Sequence, residues 1–205
     1  KLEMKGERLR LKMNDMVFFL EEAVRQFTDL AASREIELSF EPKVERLFMN
    51  YDSDKMYKML NNLLSNAFKY TGEGKNITVT LKEENHELLL QVKDTGSGIP
   101  VDKQGKIFER FYQADNEHLG SGIGLSLVQR LVELHHGRIE LESEEGVGST
   151  FSIYLPTEES AYLPEEKQVE SESIEEQRVY TTNNRDMYVI DTEDEEISEG
   201  ETTPD

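Results

Sequence analysis

Three short stretches carry the side chains best suited to chemistry. In NNLLSNAFKYT, Asn61 to Thr71, the residues Asn62, Asn66 and Lys69 recur at steps of four and three. At about 100° per residue, that spacing sets two amides and a cation on one stripe of a helix. An amide oxygen suits a hard metal ion and an ammonium suits phosphate; the plain alternative is a solvated polar face. In DTGSGIP, Asp94 to Pro100, a carboxylate follows an apolar run and precedes Gly96 and Gly98. Such a carboxylate can accept a hydrogen bond from an exocyclic amine, and the glycines let backbone approach a ligand closely. Asp and Gly are also ordinary turn residues. In HLGSGIGLSLV, Gly120, Gly122 and Gly124 precede an apolar helical run. A loop of this kind either aims backbone N–H groups and a helix N-terminus at phosphate or simply turns the chain.

The elements that must position these residues follow from apolar period. Val17, Leu20, Val24, Phe27 and Ala31 recur at helical steps behind Asn14 or Asp15, which predicts a first helix over about 15–32. Ile36, Leu38 and Phe40 alternate until Pro42, and Leu47, Met49 and Tyr51 alternate before Asp52 or Ser53 caps a second helix. That helix carries Met56, Leu60, Leu63 and Ala67 on one face, so Asn62, Asn66 and Lys69 flank its core stripe. Strands are expected over 77–81 and 88–92, and a third helix over about 122–135, stopped by Gly137. Two more strands, 139–141 and 151–155, flank a turn over 146–148. Helices interspersed with hairpin-like strand pairs predict an α/β sandwich with a mixed, mainly antiparallel sheet.

Charge divides the 205 residues. Residues 157–205 hold 17 of the 43 acids but only 3 of the 23 bases, so most of the net charge of −20 lies in this tail. With few apolar residues and no sustained period, the tail reads as a disordered linker, with 179–180 and 187–190 as candidate strands against the body. The overall acidity disfavours nucleic-acid binding. With no cysteine, disulfides, thiolate zinc sites and cysteine nucleophiles are excluded. The longest apolar runs fall far short of the roughly 20 residues that cross a bilayer. The seven methionines read as core or linker, not as a copper-binding cluster. The chain opens on Lys1 in what reads as a helical stretch, which points to a piece of a longer protein.

The order of the motifs narrows these alternatives. NNLLSNAFKYT, DTGSGIP, KIFERFYQ, GSGIGL and GVGST resemble the N, G1, F, G2 and G3 boxes of the catalytic ATP-binding domain of sensor histidine kinases. The resemblance covers about residues 15–156. It implies the Bergerat (GHKL) fold, about five strands covered by about three helices, with ATP between the second helix and a lid over about 99–122. It also implies ATP and Mg²⁺ as cofactors. Asn66 would ligate the metal, with Asn62 beside it, Lys69 would reach phosphate, and Tyr70 would line the pocket. Asp94 would take the adenine amino group, with Gly96, Gly98 and Ile99 around it. Phe108 and Phe111 would anchor the lid, Gly120, Gly122, Gly124 and Leu125 would lie along the phosphates, and Thr150 of the last box would join the nucleotide site.

Two departures bear on mechanism. Some relatives have Arg where Gln113 stands, leaving Arg110 as the candidate for the terminal phosphate. Hydrolytic members of the wider fold put a Glu where Asn62 stands, so phosphotransfer is implied over hydrolysis. The reading is a protein-histidine kinase domain that passes the γ-phosphate to a histidine on a dimerisation domain of the same protein. The alternative is a non-catalytic nucleotide-sensing or docking module with the same fold. His86, His118, His135 and His136 all lack the H-E-x-x-x-P surroundings of a phosphoacceptor, so the chain is not expected to label itself. Residues 1–14 resemble the end of the dimerisation helix and its join, and the acidic tail resembles a linker to a receiver domain. The resemblance further implies a monomeric fragment of a dimeric protein, and a cytoplasmic domain of a membrane-anchored sensor.

Overall fold

Alternation along Ile77, Val79 and Leu81, along Leu88, Leu90 and Val92, and along Phe151, Ile153 and Leu155 gives three strands one apolar face each, and all nine side chains are buried. The computed structural model describes residues 8–112 and 122–164. In it these strands form the centre of a five-stranded sheet. Its members are β2 (Glu37–Pro42), β4 (Asn76–Glu84), β5 (Glu87–Asp94), β6 (Arg138–Glu144) and β7 (Gly148–Pro156). The order is β2-β4-β5-β7-β6, with β2 parallel to β4 and every other pair antiparallel. The expected mixed, mainly antiparallel sheet is therefore present.

The apolar face packs against the long helix α3 (Ser53–Tyr70) and α5 (Gly124–Leu134), whose buried stripes share one core with the strands. Asp52 caps α3: its side chain accepts the Lys55 N–H at 3.1 Å. The opposite face of the sheet is polar. There Thr78, Thr80, Gln91, Lys93 and Thr150 line a shallow hollow with Glu41, Asn76 and Thr95.

The structure differs from the sequence reading in three places. The helix expected over 15–32 is two, α1 (Met16–Arg25) and α2 (Thr28–Ser33). At the break Phe27 is buried and stacks on Phe68 at 5.7 Å, while Tyr57 Oη donates to Gln26 Oε1 at 2.8 Å. Period alone misses the break, because Val24, Phe27 and Ala31 all stay buried across it. Second, Lys12–Asp15 is a strand, β1, not the end of a helix; it pairs antiparallel with β3 (Phe48–Tyr51) in a separate ribbon. Third, the packed body passes residue 156. A short 3₁₀ turn at Glu159–Ala161 leads to Tyr162, which is buried against Leu9 and Leu11. The candidate strands at 179–190 lie outside the described residues.

Candidate nucleotide site

The last turns of α3, the loop after β5 and the start of α5 converge, and backbone contacts fix how. The Ser97 N–H donates to the Tyr70 carbonyl at 3.0 Å, tying the DTGSG loop to the C-terminus of α3. A Cβ on Gly96 would strike that same carbonyl and, at 2.8 Å, Asp94 Oδ1, so only glycine fits. At the other side, a Cβ on Gly124 would lie 2.7 Å from Asn62 Oδ1; the first turn of α5 therefore rests directly on the polar edge of α3. Asn62 itself donates through Nδ2 to the Lys58 carbonyl at 2.7 Å.

Asn66 and Lys69 follow on this edge, half-buried, beside the core residues Ala67 and Phe68. The Lys69 ammonium lies 5.2 Å from the centre of the Tyr70 ring. Asp94, at the end of β5, is 6% exposed, with Oδ1 accepting the Gly96 N–H at 2.8 Å. Burial pushes its carboxyl above the ordinary range, against the opposing pull of the Gly96 and Ser149 N–H groups and of Lys75. A buried carboxylate held at some cost at a strand end beside a glycine-rich loop is a candidate binding group.

The residues on either side of 113–121 are held in place. Phe108 packs edge-to-face on Phe151 at 6.4 Å, and Ile99 and Leu125 pack on the core beside it. The Phe111 N–H donates to the Gly122 carbonyl at 2.9 Å, so the chain leaves for 113–121 and returns at one point. Gly122 has φ +65°, and a Cβ there would meet the Phe111 backbone at 2.7 Å. Gly120 and Gln113 lie outside the described residues.

Three expectations need correction or restriction. Thr150 lies on the polar outer face of the sheet, because it pairs with Lys93, one residue off the register of Asp94. Ser149, directly across from Asp94, is the residue of the last box that reaches the site. Phe111 is 74% exposed, whereas Phe108 packs on the core. Arg110 is exposed, in the turn that precedes residue 113. Sequence reasoning also passed over Lys75, Gln104 and Ser143, which hold the DTGSG loop from outside any glycine-rich motif. Lys75 Nζ reaches the Gly96 carbonyl at 3.5 Å.

Residues 51–159, just over half of the chain, match the family described as histidine kinase-, DNA gyrase B-, and HSP90-like ATPase. The chain belongs to this family. Histidine kinase P4 of Formosa agariphila is 34% identical over 163 residues, which are 76% of this chain but only 12% of that protein. The chain thus spans a small part of that relative's length. Among solved structures, the catalytic domain of histidine kinase ThkA matches with a TM-score of 0.68 at 25% identity, covering 75% of this chain and all of that domain. Full-length ShkA in complex with AMPPNP matches with a TM-score of 0.68 at 26% identity, over 77% of this chain and 34% of ShkA. The protein is thus an ATP-binding catalytic domain of the sensor histidine kinase type.

Proposed function

We propose that this domain transfers the γ-phosphate of ATP to a histidine on a dimerisation segment of its own protein. The observation that carries the reading is the meeting of the Asn62–Lys69 edge of α3, the Asp94 loop and the N-terminus of α5 at one place. Asp94 accepts from the adenine amino group, and Gly96 and Gly98, whose missing side chains leave room for the Tyr70 and Glu144 carbonyls and not for the base, let the loop that carries it pack closely. Lys69 meets the phosphates with a point charge, and Gly122 and Gly124 bring backbone N–H groups and the α5 N-terminus toward them. The domain acts mainly by positioning and charge neutralisation. Asn62 touches the start of α5 and has no proton-accepting power, so no described side chain on this edge is a base for water.

Asn66 fits Mg²⁺. Its amide oxygen is a hard donor, and one such donor suits an ion that keeps phosphate and water as its other ligands. Bound there, the ion would neutralise charge on the β- and γ-phosphates. A response regulator that takes the phosphoryl group onward fits the same chemistry. ThkA, similar in fold at a TM-score of 0.63 and 25% identity, is seen in complex with response regulator protein TrrA.

The test is to join the domain to its own phosphoacceptor segment and supply γ-labelled ATP. Acid-labile, alkali-stable label on histidine is the expected outcome. ATP binding with no transfer would replace the kinase reading by a nucleotide-sensing module.

A further inference from the structure

The strongest unassigned feature is a hydroxyl pair behind the Asp94 loop. Ser143 on β6 and Ser149 on β7 face each other in register, with their Oγ atoms 2.9 Å apart. Ser143 Oγ also accepts the Ile99 N–H at 2.8 Å and donates to the Gly148 carbonyl at 3.0 Å. Its one proton is committed to that carbonyl, which can only accept, so the proton between the two hydroxyls belongs to Ser149. Ser143 thereby makes three hydrogen bonds, two accepted and one donated, its full capacity. Gln104 Nε2 closes the ring by donating to the Ile99 and Ser143 carbonyls at 2.8 and 2.9 Å.

This ring grips both sides of the candidate adenine group. On one side is Ile99, at the end of DTGSGIP. On the other is Ser149, whose backbone N–H donates to the Asp94 carboxylate. Gly98 shows how close the grip is: with φ +67°, any Cβ there would collide with the Glu144 carbonyl, and the Gly146 N–H donates to the Ser97 carbonyl at 2.6 Å. The DTGSG loop is thus clamped between the end of α3 and the β6–β7 turn.

We infer that Ser143 is a positioning residue for nucleotide binding, holding Ile99 and, through Ser149, Asp94 in the geometry that receives adenine. The inference rests on the reading of Asp94 as the adenine acceptor. A residue that only supported the fold would, when changed, lower stability throughout; one that positions the loop changes affinity and local protection together.

The test is calorimetry with ADP and ATP, paired with hydrogen exchange at the Ile99 amide, on the whole chain. Ser143→Ala should weaken both nucleotides by about tenfold, the order expected for losing a hydroxyl that serves several buried hydrogen bonds. It should speed exchange at Ile99 while leaving protection of β4 and β5 intact. Ser143→Thr, which keeps the hydroxyl and suits a strand, should restore both readings. Because the two hydroxyls act through one path, Ser143→Ala with Ser149→Ala should lose no more affinity than the worse single change. Normal binding by Ser143→Ala beside failed binding by Asp94→Ala overturns the role of Ser143 and leaves that of Asp94. Normal binding by Asp94→Ala removes the basis of both.

Discussion

Asp94 combines two properties that a purely structural carboxylate would not need: it is 6% exposed, and burial raises its folded value above the unfolded one. For a group shifted in that direction, the stabilising contribution is present below the unfolded value near 3.8 and is lost as pH rises through the folded value. Above the folded value the ionised side chain therefore works against stability. Asp94→Asn, which keeps an oxygen for the Gly96 N–H, should melt at or above the temperature of the unmodified protein at pH 7, as calorimetric scans would show. Asp94→Ala should weaken ATP and ADP alike by about ten- to hundredfold, the range for a hydrogen bond to a charged group at 1.4 kcal/mol per decade. GTP, with a carbonyl in place of the amino group, should bind poorly. Equal affinity for GTP and ATP would sink this role. Asp94 was legible because glycines and a strand end mark it. Ser149 was legible too: counting back by two from Phe151 puts position 149 on the core face and Thr150 on the other, but the motif drew attention to the threonine. Ser143 was not: counting on by two from Ile139 and Leu141 gives its face, but not that Ile99 and Gly148 are what it bonds there.

At the scale of elements, α3 joins recognition to packing. One face is buried through Met56, Met59, Leu60, Leu63, Leu64, Ala67 and Phe68, and the adjoining edge holds Asn62, Asn66 and Lys69. The edge residues are half-buried at most, so their truncation should shift stability by no more than about 0.5 kcal/mol, as for ordinary surface changes. Asn66→Ala should lower only the Mg²⁺-dependent part of ATP affinity, whereas Lys69→Ala should lower affinity with or without the ion. Titrations in magnesium and in chelator separate the two. Unfolding of both variants would assign the edge to the core instead. This helix was readable almost to the residue, cap included, because eighteen residues give period a long baseline. The first helix was not, because a break that keeps the same side buried leaves period intact; the residue at the break, Phe27, stacks on Phe68, distant in sequence. The parallel pairing of β2 with β4, likewise, depends on a crossing through α3 that no local signal encodes.

Across the whole molecule, α3 sets a length scale: eighteen residues span about 27 Å. Its far end, away from the Asp94 loop, is a buried polar junction. There the Asp52 carboxylate accepts the Arg10 N–H at 2.9 Å, and the Asp52 N–H donates to His135 Nε2 at 3.4 Å. The remaining ring nitrogen, Nδ1, lies 2.8 Å from the Leu131 carbonyl, which makes it the protonated one and the imidazole neutral. Burial pushes His135 below its ordinary value, with the Leu131 carbonyl and Asp52 pulling the other way and Lys55 and His136 adding to the depression. The unfolded chain then binds the extra proton first, so this contribution is full above about pH 6.5 and is lost as pH falls through the folded value. In thermal melts between pH 7.5 and 5 this group should draw stability down with acid, against the opposite drift from Asp94. A His135→Leu variant should start lower, having left the Asp52 N–H unpaired, but decline less over that range; an unchanged slope would remove His135 from the account. The same junction also gathers both ends of the described body, since Leu9 and Leu11 on the way in lie against Tyr162 on the way out. A force drawing Leu9 and Tyr162 apart would therefore open that small apolar patch before it loads the hydrogen bonds of the sheet.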